Sequence, residues 1–413
     1  MPPVAAGVDF LQEPAAVFGL LLMVGALLSG LARRSFLSLT AIFVVAGFVL
    51  GQDGLEVLDL DPRSDFVQGL AVVALVLILF RDGLEVEAEM LQKAWHLPFR
   101  HLVLAMPLTA VLVALATHTL TDLGWTESFL VGALLSPTDP VLSSIVVTNP
   151  RVPRVIRHSL NLESGLNDGL ALPAVLAFTA AAESRDDFVW WQFVIQDVAV
   201  GAVTGLVVAF VAARVMPRGA TLLGGPSAHQ KALYALGVAF AAYGVAVVPP
   251  EGNGFISVFV AAIAFGIWRP DIRECFETRS EDVLEVVKLG VFLVFGAIFT
   301  FDILLEDGWA AVAIAAFTLL LARPVAVFVA LAGSTQVGTA GKAFMAWFGP
   351  KGVATMTFAL FVLGSDVPGA NRLVGIAALT VFISIIAHGL TDRPGAEWMA
   401  RRAGREPEPA GAA

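Results

Sequence analysis

Charged residues and cysteine are both scarce in this sequence. Only 15% of its 413 residues are charged, 57% are hydrophobic, and the mean hydropathy is +0.82. Soluble domains carry about 25% charged residues, and because the deficit extends along the whole chain, it excludes a string of soluble domains. The one cysteine, Cys275, excludes an internal disulfide. The net charge of −10 argues against a nucleic-acid partner.

Apolar stretches recur almost to the end of the chain and predict an all-α polytopic membrane protein. A spanning helix needs about 20 mostly apolar residues, and this length predicts about 13 transmembrane helices. They lie near residues 14–32, 36–51, 66–84, 98–118, 126–147, 159–182, 190–216, 230–248, 252–268, 284–301, 308–332, 341–363 and 370–390. We expect residues 1–392 to form the transmembrane domain and the Pro/Ala/Gly-rich residues 393–413 to form a short, disordered cytoplasmic tail with no regulatory domain.

Lysine and arginine are unevenly distributed between the two sides of the predicted membrane domain. Loops after even-numbered helices hold only Arg63, Arg185 and Arg372, whereas loops after odd-numbered helices and the tail hold most of the others. Because cytoplasmic loops collect Lys and Arg, we expect the N-terminus outside and the C-terminus in the cytoplasm, in the cell (inner) membrane. Arg81 and Lys288 lie near predicted helix ends, where we expect their charged groups to reach water.

Two predicted helices are interrupted at matching places. The helices divide into six, a connector and six, which suggests two inverted repeats, and paired interruptions mark the binding site in such proteins. The fifth helix contains Ser-Pro-Thr-Asp-Pro at 136–140, and the twelfth contains Gly-Pro-Lys-Gly at 349–352. Proline removes helical donors, so backbone oxygens converge with Thr138 and Asp139, as hard cations require. The alternative is a kinked helix that Asp139 merely caps.

The sixth predicted helix carries an unusual cluster of polar residues. At helical spacing Ser164 lies over Asp168, and Glu163 lies over Asn167. Ionisable groups inside a membrane are costly, so they indicate function by default. A proton and a metal cation compete to neutralise one buried carboxylate, and if the neutralised site faces alternate sides, this competition becomes antiport without enzyme chemistry. We expect Asp168 to be that carboxylate and Glu163 to be part of an internal ion pair.

These motifs resemble those of the NhaP-like sodium/proton antiporters, within the monovalent cation/proton antiporter superfamily. The residues that carry the resemblance are 136–140 and 163–169, with Ala-Arg-Pro at 322–324 and residues 349–352 in support. The resemblance implies a homodimer in membrane lipid and needs no organic cofactor. It also implies a core domain, in which the broken helices 5 and 12 cross, that moves against a dimer-forming domain.

The resemblance also implies roles for single residues of the fifth and sixth helices. Asp168 is similar to the central carboxylate that binds a cation or a proton in turn. Thr138, Asp139 and Ser164 are similar to its neighbours in the coordination shell, so these four residues are the predicted Na⁺ ligands. Asn167 stands where electrogenic relatives have a second aspartate, which implies electroneutral exchange.

Further charges follow or depart from the family pattern. Arg323 is similar to the family arginine that pairs with the glutamate at Glu163. Lys351 stands where many relatives have arginine, which keeps the charge but loses the bidentate fork. The acid that follows the phenylalanine of the third helix comes one place later, at Asp82. Lys351 and Asp82 are expected to be supporting charges. Because the acid is shifted by one place, the choice between Na⁺, Li⁺ and K⁺ stays open.

Several alternatives remain at this point. A K⁺/H⁺ antiporter of the same family and a sodium-coupled organic-solute carrier with inverted repeats both fit the pattern. An intramembrane aspartyl protease would need two carboxyls that share a proton, and a channel would need a continuous pore. Of the histidines, His96, His101, His158 and His229 are expected to be solvated at cytoplasmic helix ends, and His388 is the candidate pH sensor.

Overall fold

The computed structural model describes residues 16–23, 39–90, 96–139, 146, 148–184, 188–217 and 225–403, and every regular element in these ranges is helical. We number the helices in chain order so that each label matches the predicted span it overlaps. They are α1 (16–23), α2 (Leu39–Leu50), α3 (Asp65–Met90), α4 (His96–Leu120), α5 (Trp125–Leu134), α6 (Arg154–Ser184), α7 (Trp190–Val215), α8 (Ala228–Ala246), α9 (Gly254–Trp268), α10 (Pro270–Ile298), α11 (Trp309–Ala330), α12a (Thr339–Trp347), α12b (Val353–Gly364) and α13 (Ala370–Ala403). A single unnumbered helical turn, Phe301–Leu304, lies between α10 and α11.

Six of these helices are long and apolar enough to cross a membrane: α3, α4, α6, α7, α11 and α13. Three shorter apolar helices, α2, α9 and α12b, accompany them. The predicted all-helical class is therefore found in the described residues, while the count of about thirteen spans and the inverted repeat stay predictions.

Helix α3 occupies the middle of the packing and brings the later elements together. It contacts α6, α9, α10 and α12b, and its buried residues run almost without interruption from Ala74 to Phe80. Phe80 packs edge-to-face on Phe276 of α10, with 5.5 Å between ring centroids. Because α3, α6, α10 and α12b share contacts, charged residues on them can face one another across the interior.

The chain leaves helical geometry at both predicted interruptions. Helix α5 ends at Leu134, and residues 348–352 separate α12a from α12b. The two interruptions contact each other, since the N–H of Asp139 donates to the carbonyl of Pro350 at 2.8 Å. Pro140 of the first motif lies outside the described residues.

The last helix extends past the predicted boundary of the membrane domain at residue 392. Helix α13 runs to Ala403, and its final turns are buried on one face through Ala396 and Met399. Trp398 stacks on Phe344 of α12a with 6.5 Å between ring centroids. This apolar face explains why residues 393–403 are helical and packed instead of disordered. Residues 404–413 of the predicted tail lie outside the described residues.

Candidate functional site

The broken end of α5 is closed by groups from α12. The ammonium of Lys351 donates to the carbonyls of Pro137 at 3.1 Å and Ser136 at 3.4 Å, and its side chain is fully buried. The hydroxyl of Thr355 donates to the carbonyl of Leu134 at 2.9 Å. Carbonyls at a helix C-terminus carry partial negative charge, so the predicted supporting charge Lys351 neutralises this end while satisfying its acceptors.

The broken end of α12 is closed in the opposite sense by Asp139. Its Oδ2 accepts the N–H of Val353, at the start of α12b, at 3.1 Å. A carboxylate at a helix N-terminus balances the positive end of the helix dipole. A side chain at Gly352 would collide with Asp139, so this approach requires glycine. Asp139 thus does cap a half-helix, but the half-helix belongs to the other interruption.

Asp168 is buried without a hydrogen bond to the described residues. It is 6% exposed, and its Oδ1 has no hydrogen-bond partner among the described residues. The charged groups that act on it are Asp82, Asp139, Arg81 and Lys288. Buried carboxylates are normally hydrogen-bonded or ion-paired, so the unpaired oxygen is available to a ligand.

The other predicted Na⁺ ligands are not hydrogen-bonded to Asp168. Across the described residues, no hydrogen bond joins Asp168 to Thr138, Asp139 or Ser164. The amide of Asn167 donates to the hydroxyl of Thr138 at 2.8 Å and to its carbonyl at 2.9 Å. A threonine hydroxyl has one donor and two acceptor positions. Asn167 therefore orients Thr138 and occupies one of those acceptor positions.

The predicted ion pair is present and has a third member. Oε1 of Glu163 accepts from Nη1 of Arg323 at 2.8 Å, and both side chains are buried. Nδ1 of His101 lies 2.8 Å from the other oxygen, Oε2. The expectation that His101 is solvated is wrong, because it is 1% exposed. No sequence pattern links His101 to Glu163, since the two lie 62 residues apart.

Two cations that were expected to reach water lie near the carboxylates of the site; the side chain of Arg81 is 24% exposed, whereas Lys288 is buried. Arg81 donates from Nε and Nη2 to Oδ1 of the fully buried Asp82, at 2.8 and 2.5 Å. Lys288 is 7% exposed and acts on Asp139, Asp82 and Asp168. The predicted supporting acid Asp82 is therefore neutralised mainly by its neighbour in sequence. The position of Lys288 could not be predicted from the sequence, because it depends on the packing of α3 against α10.

His388 is buried in a chain of hydrogen bonds across the α12 interruption. The N–H of Lys351 donates to Oγ of Ser384 at 2.9 Å, and that hydroxyl lies 3.1 Å from Nδ1 of His388. Nε2 of His388 lies 2.9 Å from the carbonyl of Trp347. Nδ1 also lies 2.8 Å from the carbonyl of Ser384, so each ring nitrogen of His388 approaches a backbone acceptor. His388 thus fastens both sides of the interruption to α13.

Residues 19–398 match the family model described as "Sodium/hydrogen exchanger, transmembrane". The chain belongs to the sodium/hydrogen exchanger family. It is accordingly a multi-pass membrane protein of a cation/proton antiporter family, which places it among transporters and not among enzymes.

Curated relatives within this family have been named for different cations. The chain is 26% identical over 404 residues to the "K(+)/H(+) antiporter NhaP" of Alkalimonas amylolytica, covering 95% of this chain and 68% of the relative. It is 24% identical over 378 residues to the "K(+)/H(+) antiporter NhaP2" of Shewanella oneidensis, covering 90% of this chain and 64% of the relative. A "Na(+)/H(+) antiporter NhaG" of Bacillus atrophaeus is 25% identical over 399 residues, covering 90% and 72%. The chain thus spans about two thirds of these relatives' length.

The fold is similar to that of a solved antiporter. The structure of the sodium proton antiporter MjNhaP1 from Methanocaldococcus jannaschii at pH 8 superposes with a TM-score of 0.77 at 17% identity. The match covers 95% of this chain and 99% of that one. At this identity the similarity establishes the fold, and the roles of the site residues rest on the geometry above.

Proposed function

We propose that this protein exchanges a monovalent cation, most favourably Na⁺, for H⁺ across the membrane, through Asp168. The observation that carries this proposal is the unpaired Oδ1 of Asp168, buried beside two broken helices whose ends are already neutralised. Because Lys351 and Asp139 balance the helix ends, the exchangeable charge is left to Asp168.

Competition for one carboxylate supplies the coupling. Removing a carboxylate from water disfavours its charged form, so Asp168 is occupied either by a proton or by a cation. Thr138 and Ser164 supply neutral oxygens for the cation, as expected for a hard ion. Asn167 adds no charge, which supports electroneutral exchange. A neutralised site that opens alternately to each side then moves one species inward for the other outward.

The choice of cation is the least constrained part of this proposal. The K⁺/H⁺ names of two relatives favour K⁺ as the second candidate, while NhaG and MjNhaP1 favour Na⁺. The shifted acid at Asp82 is bound to Arg81 and so offers the cation less negative charge than a free glutamate would. A sodium-coupled carrier of an organic solute is the third candidate.

The cellular arrangement of the protein is also part of the proposal. The distribution of Lys and Arg supports an N-terminus outside and a C-terminus in the cytoplasm, in the cell membrane. The resemblance to NhaP-like antiporters supports a homodimer in lipid. No organic cofactor or nucleic acid takes part in the proposed cycle.

The proposal is tested with purified protein in acid-loaded liposomes that contain a pH-quenched dye. Adding NaCl, LiCl or KCl in turn is expected to dequench the dye, with no organic solute present, and protein-free liposomes are the control. The concentration for half-maximal dequenching ranks the three cations. If none of the three collapses the proton gradient, the proposal is wrong, and dequenching that requires a solute would favour the solute carrier.

A further inference from the structure

Helices α4 and α11 share an irregularity of the backbone. Each contains a five-residue π-helical segment, His101–Ala105 in α4 and Thr318–Ala322 in α11. In each, the next residue donates its N–H to the carbonyl five residues earlier, and a proline follows it, Pro107 or Pro324. Proline lacks the N–H that would continue the regular ladder, and single π turns of this kind often occur at functional sites.

The two irregular segments meet at one carboxylate. The segment His101–Ala105 packs against the residues that follow the π turn in α11, which begin at Arg323. His101 opens its π turn and Arg323 directly follows the other, and each binds a different oxygen of Glu163 at 2.8 Å. The π turns therefore place one donor on each side of Glu163.

His101 contributes a donor to this arrangement without contributing a charge. A carboxylate only accepts hydrogen bonds, so Nδ1 of His101 must carry the proton that points to Glu163. Nε2 is buried and has no hydrogen-bond partner among the described residues, and an unprotonated nitrogen fits there better than a second N–H. The negative charge of Glu163 thus remains paired with that of Arg323.

The position of Glu163 in turn affects Thr138, a predicted cation ligand that is hydrogen-bonded to it. The hydroxyl of Thr138 donates to Oε1 of Glu163 at 3.4 Å and accepts from the amide of Asn167 at 2.8 Å. With its hydrogen directed at Glu163 and one acceptor position filled by Asn167, Thr138 has one acceptor position left for a cation. Rotation of the Glu163 carboxylate would release that hydroxyl.

We propose that His101 is a positioning residue for cation binding: it fixes Glu163 from the side opposite Arg323 and thereby orients the hydroxyl of Thr138 towards the ion. This inference rests on the proposed exchange activity and adds to it a residue on α4. It predicts that His101 affects the affinity for the cation through Thr138, beyond any effect on folding.

A double-mutant cycle in the liposome assay tests this. His101→Leu is expected to raise the half-saturating cation concentration about tenfold, because a hydrogen bond to a charged group is lost. His101→Asn, whose Nδ2 can take the place of Nδ1 as a donor, should recover most of the affinity. Thr138→Val should also weaken binding, and His101→Leu should then add little in that background. The exposed His96, at the start of the same helix, provides the control His96→Gln, which should match wild type.

The outcomes separate this inference from the proposed function. Absence of exchange in the wild-type protein would contradict the function itself. Wild-type exchange with an unchanged half-saturating concentration in His101→Leu, even at a lowered melting temperature, would contradict only the role of His101. Multiplicative effects of His101→Leu and Thr138→Val would contradict the path through Thr138. If His101→Leu does not fold, His101→Met, which also lacks the donor, replaces it in the same cycle, with the same expected effects.

Discussion

The buried carboxylates differ in how many of their oxygens are already bound. Both oxygens of Glu163 accept strong hydrogen bonds, whereas one oxygen of Asp139 caps α12b and one oxygen of Asp82 is held by Arg81. Asp168 receives no hydrogen bond from the described residues at its Oδ1 and, unlike Glu163 and Asp82, forms no ion pair with them. This difference separates the acids that are bound within the structure from the acid that we propose to exchange its ligand.

Asp168→Asn is expected to abolish exchange while the protein remains folded. The amide has nearly the same size, but it cannot take up a proton or neutralise a cation, and it removes a buried charge that costs free energy. Dequenching by each cation and the melting temperature in detergent are the measurements. Asp366→Asn, at a side chain 92% exposed, is the matched control. Exchange at the wild-type rate in Asp168→Asn would require a different mechanism.

Arg323→Ala is expected to lower the free energy of unfolding by about 3–5 kcal/mol, because it leaves the buried charge of Glu163 without its counter-charge. Glu163→Gln should be similarly destabilised by the stranded guanidinium. The double variant Glu163→Gln/Arg323→Met removes both charges and should be more stable than either single variant. Thermal unfolding in detergent measures all three. A wild-type melting temperature for Arg323→Ala would show that the Glu163–Arg323 pair does not stabilise the fold.

The two helix ends at the interruptions are closed by residues from outside each helix. Lys351 closes the C-terminal end of α5, and Asp139 closes the N-terminal end of α12b. The prolines and glycines predicted both interruptions, because they remove hydrogen-bond donors and helix propensity locally. Which charge closes which end depends on the crossing, and the partners lie 214 residues apart in the chain.

Lys351→Met is expected to destabilise the crossing by about 2–4 kcal/mol, since it leaves the carbonyls of Ser136 and Pro137 without a donor. Exchange should fall with it, because the position of Thr138 depends on the same backbone. Lys351→Arg keeps the charge and should retain more of both properties. Melting temperatures and dequenching rates distinguish the three proteins. An unaltered melting temperature in Lys351→Met would contradict the proposed closing of α5.

The C-terminal end of α7 is also closed by a residue from another part of the chain. Arg269, which directly follows the ninth predicted span, is fully buried and donates to the carbonyl of Met216 at 2.6 Å, just past the end of α7. Its hydrogen bonds to Asp271, with those of Lys231, lower the pKa of Asp271 from 3.8 to about 2. Because the folded pKa is lowered, this pair stabilises the protein above pH 4 and loses its effect as the pH falls through about 2. The contribution of these hydrogen bonds to stability therefore does not vary near neutral pH.

The orientation of the whole molecule is testable through its one cysteine. Cys275, partly exposed on α10, is predicted to lie on the cytoplasmic side. A membrane-impermeant maleimide should label it in inside-out vesicles and not in right-side-out ones. The variant Cys275→Ser/Glu306→Cys moves the thiol to an exposed residue predicted to be outside and should reverse the pattern. Labelling of Cys275 from outside would invert the proposed topology.

Local rules of the membrane environment account for what the sequence determined by itself. Apolar stretches of spanning length, prolines that interrupt two of them and four polar residues on one helix are each visible within a short segment. These features predicted an all-helical membrane protein, both interruptions and Asp168 as a candidate site residue. Hydrocarbon offers no hydrogen bonds to the backbone, so the chain itself has to encode its apolar lengths and its breaks.

Only the tertiary structure decided which buried charged groups pair with one another. His101, Lys288 and Lys351 reach the site from α4, α10 and α12, and their partners lie on helices far away in the chain. Residue spacing along one helix carries no information about which other helix packs against it. The pairing of buried charges is therefore a property of helix packing, because the packing brings each donor within hydrogen-bond distance of its acceptor.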